Sequence, residues 1–195
     1  MSWTVHDSEA FIYGPEELWI IMEQIRKLIA DADMVLIGVG DEFTRRKASK
    51  EDILLAYEKV AELIKGKPWF LVTLNTDDLV YEAGFHEFFV AAPCGSEKSG
   101  NVITSDDYDE SQYLPQWQFY RNWLTSTIGK KLCILELGVG MSYPSVVRMP
   151  FERTVQFNQK AKMIRIHSKL AFVPEDISDR SYCIGELPVD FLIKQ

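Results

Sequence analysis

The sequence predicts an α/β fold in which helices flank a parallel β-sheet. Short, continuous apolar runs that end in glycine or in polar clusters alternate with longer stretches whose apolar residues recur every three or four positions. Such runs are typical of strands that are buried on both faces, and parallel strands need crossover connections of a dozen or more residues. The chain has 195 residues, of which 47% are hydrophobic, so we expect a single domain over residues 1–195.

The first part of the chain predicts two helices, each followed by a strand. Apolar residues at helical spacing predict a helix over residues 15–29, with a proline at its first position. Residues 34–38 form an apolar run that ends in glycine, as expected of a buried strand. A second helical stripe covers residues 49–66 and opens with a serine and an aspartate in the pattern of a capping box. Residues 69–73 predict the next strand.

The middle of the chain alternates in the same way, with shorter elements. Residues 75–84 leave room for a short helix, and residues 88–90 predict a brief strand. Residues 95–113 are rich in Gly, Asp, Glu and Ser and poor in apolar residues, so we expect a surface excursion there. A helix over residues 115–128 and a strand over residues 132–137 follow.

The chain ends with a helix, a strand and a last pair of apolar runs. Pro144 can open a helix that Pro150 interrupts or kinks. Residues 163–166 predict a strand, and residues 182–184 and 189–192 are predicted as the final pair of strands. Ligands of parallel sheets bind outside the carboxyl ends of the strands, so the residues that follow each strand are the candidate functional residues.

Composition and charge exclude several classes of function. The formal net charge is −8, which is not the basic surface that nucleic-acid binding requires, so we expect no nucleic-acid partner. No apolar stretch approaches the roughly 20 residues that span a bilayer, and residues 1–7 lack the features of a secretory signal. We therefore expect a cytoplasmic protein with no membrane partner. Aromatic residues make up 12% of the chain, which favours an apolar surface patch and a homo-oligomer.

Two glycine turns and one polar cluster follow predicted strands. Residues 38–40 and 138–140 both have the sequence Gly-Val-Gly, and residues 73–78 have the sequence Thr-Leu-Asn-Thr-Asp-Asp. Because glycine leaves no side chain between backbone amides and a phosphate, two such turns can cradle a pyrophosphate. Tight strand-to-helix turns without a ligand are the alternative interpretation.

The order of these motifs resembles that of the sirtuin family, the NAD-dependent protein deacylases and ADP-ribosyltransferases. Residues 38–40 match the family's Gly-Ala-Gly phosphate turn, and residues 73–77 look like its Thr-Gln-Asn-Ile-Asp. Residues 138–141 lie where sirtuins have Gly-Thr-Ser-Leu, residues 164–167 where a strand ends near the adenosine ribose, and residues 182–185 where the final strand covers the adenine. The resemblance implies a three-layer Rossmann-like fold that binds NAD or ADP-ribose.

The resemblance also implies roles for individual residues. Asn75 corresponds to the family's asparagine that orders the ribose and an attacking water, and Asp77 to the aspartate at the nicotinamide end. Cleavage of nicotinamide from NAD develops positive charge on the ribose, for which an Asn or Asp is better suited than a strong nucleophile. Alternatively, Asn75 and Asp77 only cap the helix that follows. The residues expected to contact the dinucleotide are Gly38, Val39, Gly40, Asp41, Glu42, Phe43, Thr73, Asn75, Asp77, Gly138, Val139, Gly140, Met141, Ser142, His167, Ser168 and Ile184.

The sequence departs from the family in two respects. Residues 94–96 read Cys-Gly-Ser where sirtuin deacylases have His-Gly-Ser, so deacylation is not expected, and either Cys94 or His86 is the candidate to replace the missing base. We therefore take Cys94, with Asn75 and Asp77, as the candidate catalytic residues. The family's zinc module has two CxxC pairs, whereas this chain has three widely separated cysteines and none in residues 95–113, so no zinc is expected.

Three hypotheses for function follow. The first is an enzyme that breaks the glycosidic bond of NAD and transfers ADP-ribose to water or another acceptor. The second is a module that binds or senses NAD or ADP-ribose without turnover. The third takes residues 136–140 as the Glu-x-Gly-x-Gly turn of an S-adenosylmethionine methyltransferase. Only 55 residues follow Gly140, too few for the remaining strands and crossovers of that fold, which argues against the third.

Overall fold

A six-stranded parallel sheet forms the centre of the computed structural model, which describes residues 14–194. The sheet order is β3-β2-β1-β6-β7-β8, and a separate antiparallel hairpin is formed by β4 and β5. The strands are β1 (Met34–Val39), β2 (Trp69–Thr73), β3 (Val90–Ala91), β4 (Gly95–Ser96), β5 (Asn101–Val102), β6 (Leu132–Leu137), β7 (Lys162–Ile166) and β8 (Ser181–Ile184).

Helices cover both faces of this sheet. One face packs against α1, α2 and α6, and the other against α4 and α5, so the side chains of each strand alternate between two apolar cores. In β1, for example, Val35 and Ile37 belong to the first core and Leu36 to the second. This arrangement confirms the predicted α/β class. The helices are α1 (Pro15–Asp31), α2 (Lys50–Leu63), α3 (Leu79–Glu82), α4 (Leu114–Ser126), α5 (Arg148–Phe157) and α6 (Pro188–Ile193).

Local sequence signals account for where several elements begin. The Ser49 hydroxyl accepts a hydrogen bond from the Asp52 amide at 3.1 Å, so the predicted cap of α2 is confirmed.

No helix among residues 14–194 has both the length and the apolar character needed to cross a membrane.

Two predicted strands are wrong. Of residues 88–90 only Val90 belongs to a strand, because residues 87–89 form a 3₁₀ turn in which the His86 ring accepts a hydrogen bond from the Phe88 amide. Residues 189–192 form α6 rather than a strand. Pro188 occupies the first position of that helix, where its fixed φ angle is favourable, and the apolar side chains that follow are buried.

Pro150 does not interrupt a helix. The helix α5 begins at Arg148, so Pro150 lies in its first turn, where backbone amides have no partner within the helix. The prediction that a helix opens at Pro144 and is broken at Pro150 is therefore wrong.

The excursion over residues 95–113 is held by defined contacts. The Asn101 side chain donates to the Asp109 carbonyl at 2.9 Å and accepts from the Asp109 amide at 2.8 Å. This pair of hydrogen bonds resembles the one between two paired residues of adjacent strands. The Tyr108 hydroxyl donates to the Pro93 carbonyl at 2.6 Å. These bonds position the hairpin of β4 and β5 next to the carboxyl end of the sheet.

Candidate functional site

The strand order reverses between β1 and β6, and the turns that follow these two strands pack against each other. The Gly40 amide donates to the Leu137 carbonyl at 3.0 Å, and the Glu42 amide donates to the Gly138 carbonyl at 3.1 Å. In doubly wound sheets, ligands bind in the crevice that opens at such a reversal. The two Gly-Val-Gly turns therefore lie at the place in the fold where a ligand is expected.

Close packing between the turns explains their glycines. Gly138 has a φ angle of 63°, and a Cβ atom there would lie 2.7 Å from Cβ of Glu42. A Cβ atom on Gly40 would lie 2.7 Å from Cα of Val139. The alternative interpretation of tight turns thus accounts for these glycines without a ligand.

The second turn nevertheless presents unused backbone donors. Among the residues that the structure describes, no group accepts a hydrogen bond from the amides of residues 139–142, whereas the Gly138 amide donates to the Ile166 carbonyl. Buried backbone amides in folded proteins are nearly always paired, so the amides of the buried residues Val139 and Gly140 need water or a ligand, whereas Met141 and Ser142 are exposed to solvent. Successive free amides of this kind bind the oxygens of phosphates.

A cleft of about 650 Å³ extends from the crevice toward the carboxyl end of β2. Residues that follow β1, β2 and β3, residues of the excursion and residues that follow β6 form its walls. They are Asp41, Thr44, Arg45, Arg46, Lys47, Leu74, Asn75, Thr76, Asp77, Cys94, Glu97, Val102, Ile103, Thr104, Ser142 and Tyr143.

Asn75 is held in one orientation on the wall of this cleft. Its side-chain amide nitrogen donates to the Phe43 carbonyl at 2.7 Å, and its backbone amide donates to the Thr73 hydroxyl at 3.0 Å. The side chain is largely buried, and no donor among the described residues contacts Oδ1. The amide oxygen is therefore the atom of Asn75 that remains for a ligand or a water.

Asp77 has one carboxylate oxygen that caps a helix and one that has no partner. Oδ1 accepts from the Leu79 amide at 3.2 Å at the start of α3, as the capping alternative requires. Oδ2 is buried and has no hydrogen-bond partner among the described residues. Burial raises the pKa of Asp77, although the Leu79 amide and Arg45 oppose that rise. Capping thus explains only one of the two oxygens of this carboxylate.

Neither Cys94 nor His86 is suited to act as a general base in the cleft. Cys94 lines the cleft but is 2% exposed, and burial, followed by the charge of Asp41, raises the pKa of its thiol to about 11. At neutral pH the thiol is therefore protonated. His86 is exposed outside the cleft, and its Nδ1 accepts from the Phe88 amide at 3.2 Å.

Glu42 reaches across Gly138 to the end of β7. Its carboxylate accepts from the Ser168 amide at 2.8 Å and also from the Ser168 hydroxyl, and His167 Nδ1 lies 3.2 Å from Oε2. Burial lowers the pKa of His167, despite the opposing charge of Glu42, so the imidazole is neutral at pH 7. These three residues join the turn after β1 to the end of β7, and they do not line the cleft.

The remaining predicted contact residues divide into two groups. Asp41 and Ser142 both line the cleft and lie side by side, because the Ser142 hydroxyl donates to Asp41 Oδ2 at 2.8 Å. Met141 is exposed beside them. The other side chains point into the protein: Phe43 packs edge-on against Tyr57 at 4.7 Å between ring centroids, and Val39, Thr73, Val139 and Ile184 are buried.

Several residues of the cleft were not among those expected to contact the dinucleotide. Lys47 extends the cationic pair Arg45 and Arg46, and none of the three makes an ion pair within the described part of the chain. The run of three adjacent cations that begins five residues after Gly40, in a chain of net charge −8, was the available signal. Glu97 was also missed; it joins the excursion to the segment after β2 by accepting from the Thr76 hydroxyl at 2.8 Å.

Glu136, which the methyltransferase hypothesis needs for a ligand, has a structural role. Arg165 donates to both of its carboxylate oxygens, at 2.6 and 3.0 Å, and both side chains are fully buried. Arg148 packs beside this pair and donates to the carbonyls of Val139, Leu170 and Phe172. The carboxylate is therefore occupied within the protein.

Within residues 14–194, no group of three or more His, Cys, Asp or Glu side chains is arranged to hold a metal ion.

No family model matches the sequence. A Staphylococcus aureus (strain Mu50) protein named protein ADP-ribosyltransferase is 27% identical over 78 residues, which are 40% of this chain and 25% of that protein. The match thus spans a quarter of the length of this relative.

Solved sirtuin structures share the fold over most of both chains. A structure from work on sirtuin substrate affinity has a TM-score of 0.57 at 16% identity and covers 89% of this chain and 97% of its own. A Sir2 homologue variant in complex with ADP-ribose has a TM-score of 0.55 at 14% identity, with coverage of 88% and 95%. These similarities confirm the predicted sirtuin-like Rossmann-like fold.

Proposed function

We propose that the cleft binds NAD and that the protein breaks the bond between nicotinamide and ribose, transferring ADP-ribose to water or to another acceptor. One observation carries this proposal: Asn75 Oδ1 and Asp77 Oδ2, both without a partner among the described residues, belong to side chains that line the same cleft. The name of the S. aureus relative and the ADP-ribose bound to a Sir2 homologue of the same fold support it.

The pyrophosphate would lie at the crevice between β1 and β6. The unpaired amides of residues 139–142 would donate to its oxygens, as backbone amides do in other phosphate sites. Arg45, Arg46 and Lys47, which also line the cleft, would balance its negative charge.

The chemistry requires stabilisation of positive charge at the ribose. NAD, when bound, supplies the glycosidic bond that links the ribose to the positively charged nicotinamide ring. An unpaired carboxylate oxygen and a fixed amide oxygen favour the positive charge that develops as that bond breaks. Asp77 would provide the charge, and Asn75 would orient the ribose or an attacking water.

Non-catalytic binding of NAD or ADP-ribose is the alternative, and the environment of Cys94 favours it. The protonated thiol cannot take the proton that an activated hydroxyl or water must lose. The same observation argues against deacylation. Binding without turnover uses the amides and the cations of the cleft and needs no base.

Release of nicotinamide distinguishes the two possibilities. We expect incubation with NAD to yield free nicotinamide, measured by liquid chromatography, and Asn75→Ala to reduce the rate by about 100-fold, as loss of one oriented polar group does in other active sites. Asn122→Ala, on the exposed surface of α4, serves as the control and should leave the rate unchanged. Saturable NAD binding by calorimetry with no nicotinamide formed would establish the binding module instead.

A further inference from the structure

A second pocket lies at the carboxyl end of β3, on the other side of the excursion from the cleft. Its volume is about 250 Å³, and it shares no lining residue with the cleft. Asp77 lines the cleft, whereas the next residue, Asp78, lines this pocket, so the two spaces are adjacent along the chain.

The second pocket is negatively charged. Asp78 and Glu87 line it, and none of its lining residues is Lys, Arg or His. Asp78 Oδ2 accepts from the Ser96 hydroxyl at 2.8 Å and from the Lys98 amide at 3.0 Å, whereas no described donor contacts Oδ1. Glu87 makes neither an ion pair nor a side-chain hydrogen bond within residues 14–194. Two carboxylates therefore face the pocket without a compensating cation.

The same pocket contains an amide without a partner. The Gln116 side chain makes no hydrogen bond with any described residue, and its Oε1 is buried away from solvent. A buried amide oxygen without a donor destabilises the protein, and a small rotation of the side chain toward a donor in the pocket would remove that penalty. The missing partner is therefore a hydrogen-bond donor.

Aromatic rings complete the walls of this pocket. Tyr81 and Tyr113 line it, and the faces of such rings attract organic cations. Burial, and then the charges of Asp78 and Glu87, raises the pKa of Tyr81 to about 12, so its hydroxyl stays neutral. Carboxylates, a carbonyl oxygen and aromatic faces together match a cation that carries several N–H donors and no acceptor.

We propose that this pocket binds a guanidinium or alkylammonium group, such as the side chain of an arginine or a lysine in a peptide. Binding of the cation depends only on the pocket. Its role as the site that holds an acceptor for ADP-ribose rests on the proposed function, since the pocket adjoins the cleft through Asp77 and Asp78.

Calorimetric titration with capped amino acids tests the binding. Nα-acetyl-arginine amide and Nα-acetyl-lysine amide are compared with Nα-acetyl-citrulline amide, which has nearly the shape of the arginine probe but no charge. We expect at least one of the two cations to bind about 10-fold more tightly than the citrulline probe, because one charge-assisted contact is worth about that factor. Which cation binds distinguishes guanidinium from ammonium recognition.

Two variants and a control locate the site. Glu87→Gln and Gln116→Met should each weaken binding of the preferred cation by about 10-fold. Glu58→Gln removes one exposed charge from α2, outside the pocket, and should leave the affinity unchanged. Equal binding of citrulline and the cations, or equal affinities of Glu87→Gln and Glu58→Gln, would overturn the proposal.

The titration is made without NAD, which separates this inference from the proposed function. If the protein binds the arginine or lysine probe but not NAD, the result supports the cation pocket and refutes its role as an acceptor site. If the protein releases nicotinamide but binds neither cation, the result supports the proposed function and refutes the cation pocket.

Discussion

Asp77 illustrates how a single residue can be unfavourable for the fold and useful in a site. One oxygen starts α3, but the other is buried without a partner, and burial raises the pKa of the carboxyl. A carboxyl whose pKa is higher in the folded state than in the unfolded chain destabilises the fold once the pH exceeds its normal value. The folded protein therefore keeps this charge at a cost.

Asp77→Asn should separate stability from activity. Asparagine keeps an oxygen that can accept from the Leu79 amide but carries no charge, so we expect the variant to gain about 1 kcal/mol at pH 7, or about 2–4 °C in melting temperature. The gain should vanish as the pH falls below about 4, where the aspartate is protonated in both states. Release of nicotinamide should be lost.

Scanning calorimetry of both proteins between pH 3 and pH 8 measures this difference. Asp106→Asn, in the exposed part of the excursion, controls for the change in net charge. A variant that is less stable than the natural protein at pH 7 would show that the carboxylate has a partner and stabilises the fold.

Sequence patterns located some residues of the cleft better than others. Asn75, Asp77, Asp41 and Ser142 follow strands, and the carboxyl ends of parallel strands converge at one edge. The direction of a side chain within a turn is decided by tertiary packing. For this reason the sequence did not reveal that Phe43 enters the core. Nor did it reveal that Glu42 turns toward Ser168 or that the thiol of Cys94 is buried.

At the scale of elements, three buried charges and the partly buried Glu152 join β6, β7 and α5. Arg165 on β7 binds Glu136 on β6 through two hydrogen bonds and Glu152 on α5 at 2.7 Å. Arg148, at the start of α5, ties the turn after β6 to the segment after β7 through three backbone carbonyls. The free amides of residues 139–142 are therefore presented by a turn that this network fixes in place.

Removing one charged side chain from this network should strongly destabilise the protein. Arg165→Met leaves Glu136 and Glu152 with one cation fewer, so we expect a loss of about 3–5 kcal/mol in the free energy of unfolding. The double variant Glu136→Leu, Arg165→Met removes the uncompensated charge as well and should recover most of the loss. Urea denaturation measures both variants.

Lys50→Met provides a control because the ion pair of Lys50 with Glu82 is exposed to solvent, and it should change stability little. If the double variant is no more stable than Arg165→Met, the uncompensated charge of Glu136 is not the source of the loss.

The long elements were predictable, and the short ones were not. Apolar runs at β1, β2 and β6 and helical stripes at α1 and α2 have enough residues for the pattern to be unambiguous. The run Val189–Leu192 is equally apolar but has only four residues, too few to distinguish a strand from a buried helix. Its packing against α2 decides the outcome, and a sequence pattern does not contain that information.

At the scale of the whole molecule, charge is distributed unevenly. The chain has a net charge of −8, yet three adjacent cations, Arg45, Arg46 and Lys47, line one cleft. Asp41, Asp77 and Glu97 also line this cleft, so its formal charge is balanced, and the three adjacent cations are the groups that a small anion would contact. A dinucleotide that spans the reversal of strand order would contact both halves of the sheet and so stabilise the whole fold.

Saturating NAD or ADP-ribose should therefore raise the melting temperature. A ligand at about 100 times its dissociation constant adds about 2.7 kcal/mol, which corresponds to about 5–10 °C for a chain of this size. S-adenosylmethionine should cause no shift, because Glu136 is occupied by Arg165. The double variant Arg45→Ala, Arg46→Ala should reduce the shift with NAD, since the pyrophosphate would lose two cations.

The control is the double variant Lys65→Ala, Lys130→Ala. It removes the same charge from exposed positions that precede β2 and β6, at the opposite edge of the sheet, and should keep the full shift. A protein that melts at one temperature with all three ligands would have a cleft that binds no dinucleotide, and the unpaired amides of residues 139–142 would then be satisfied by water.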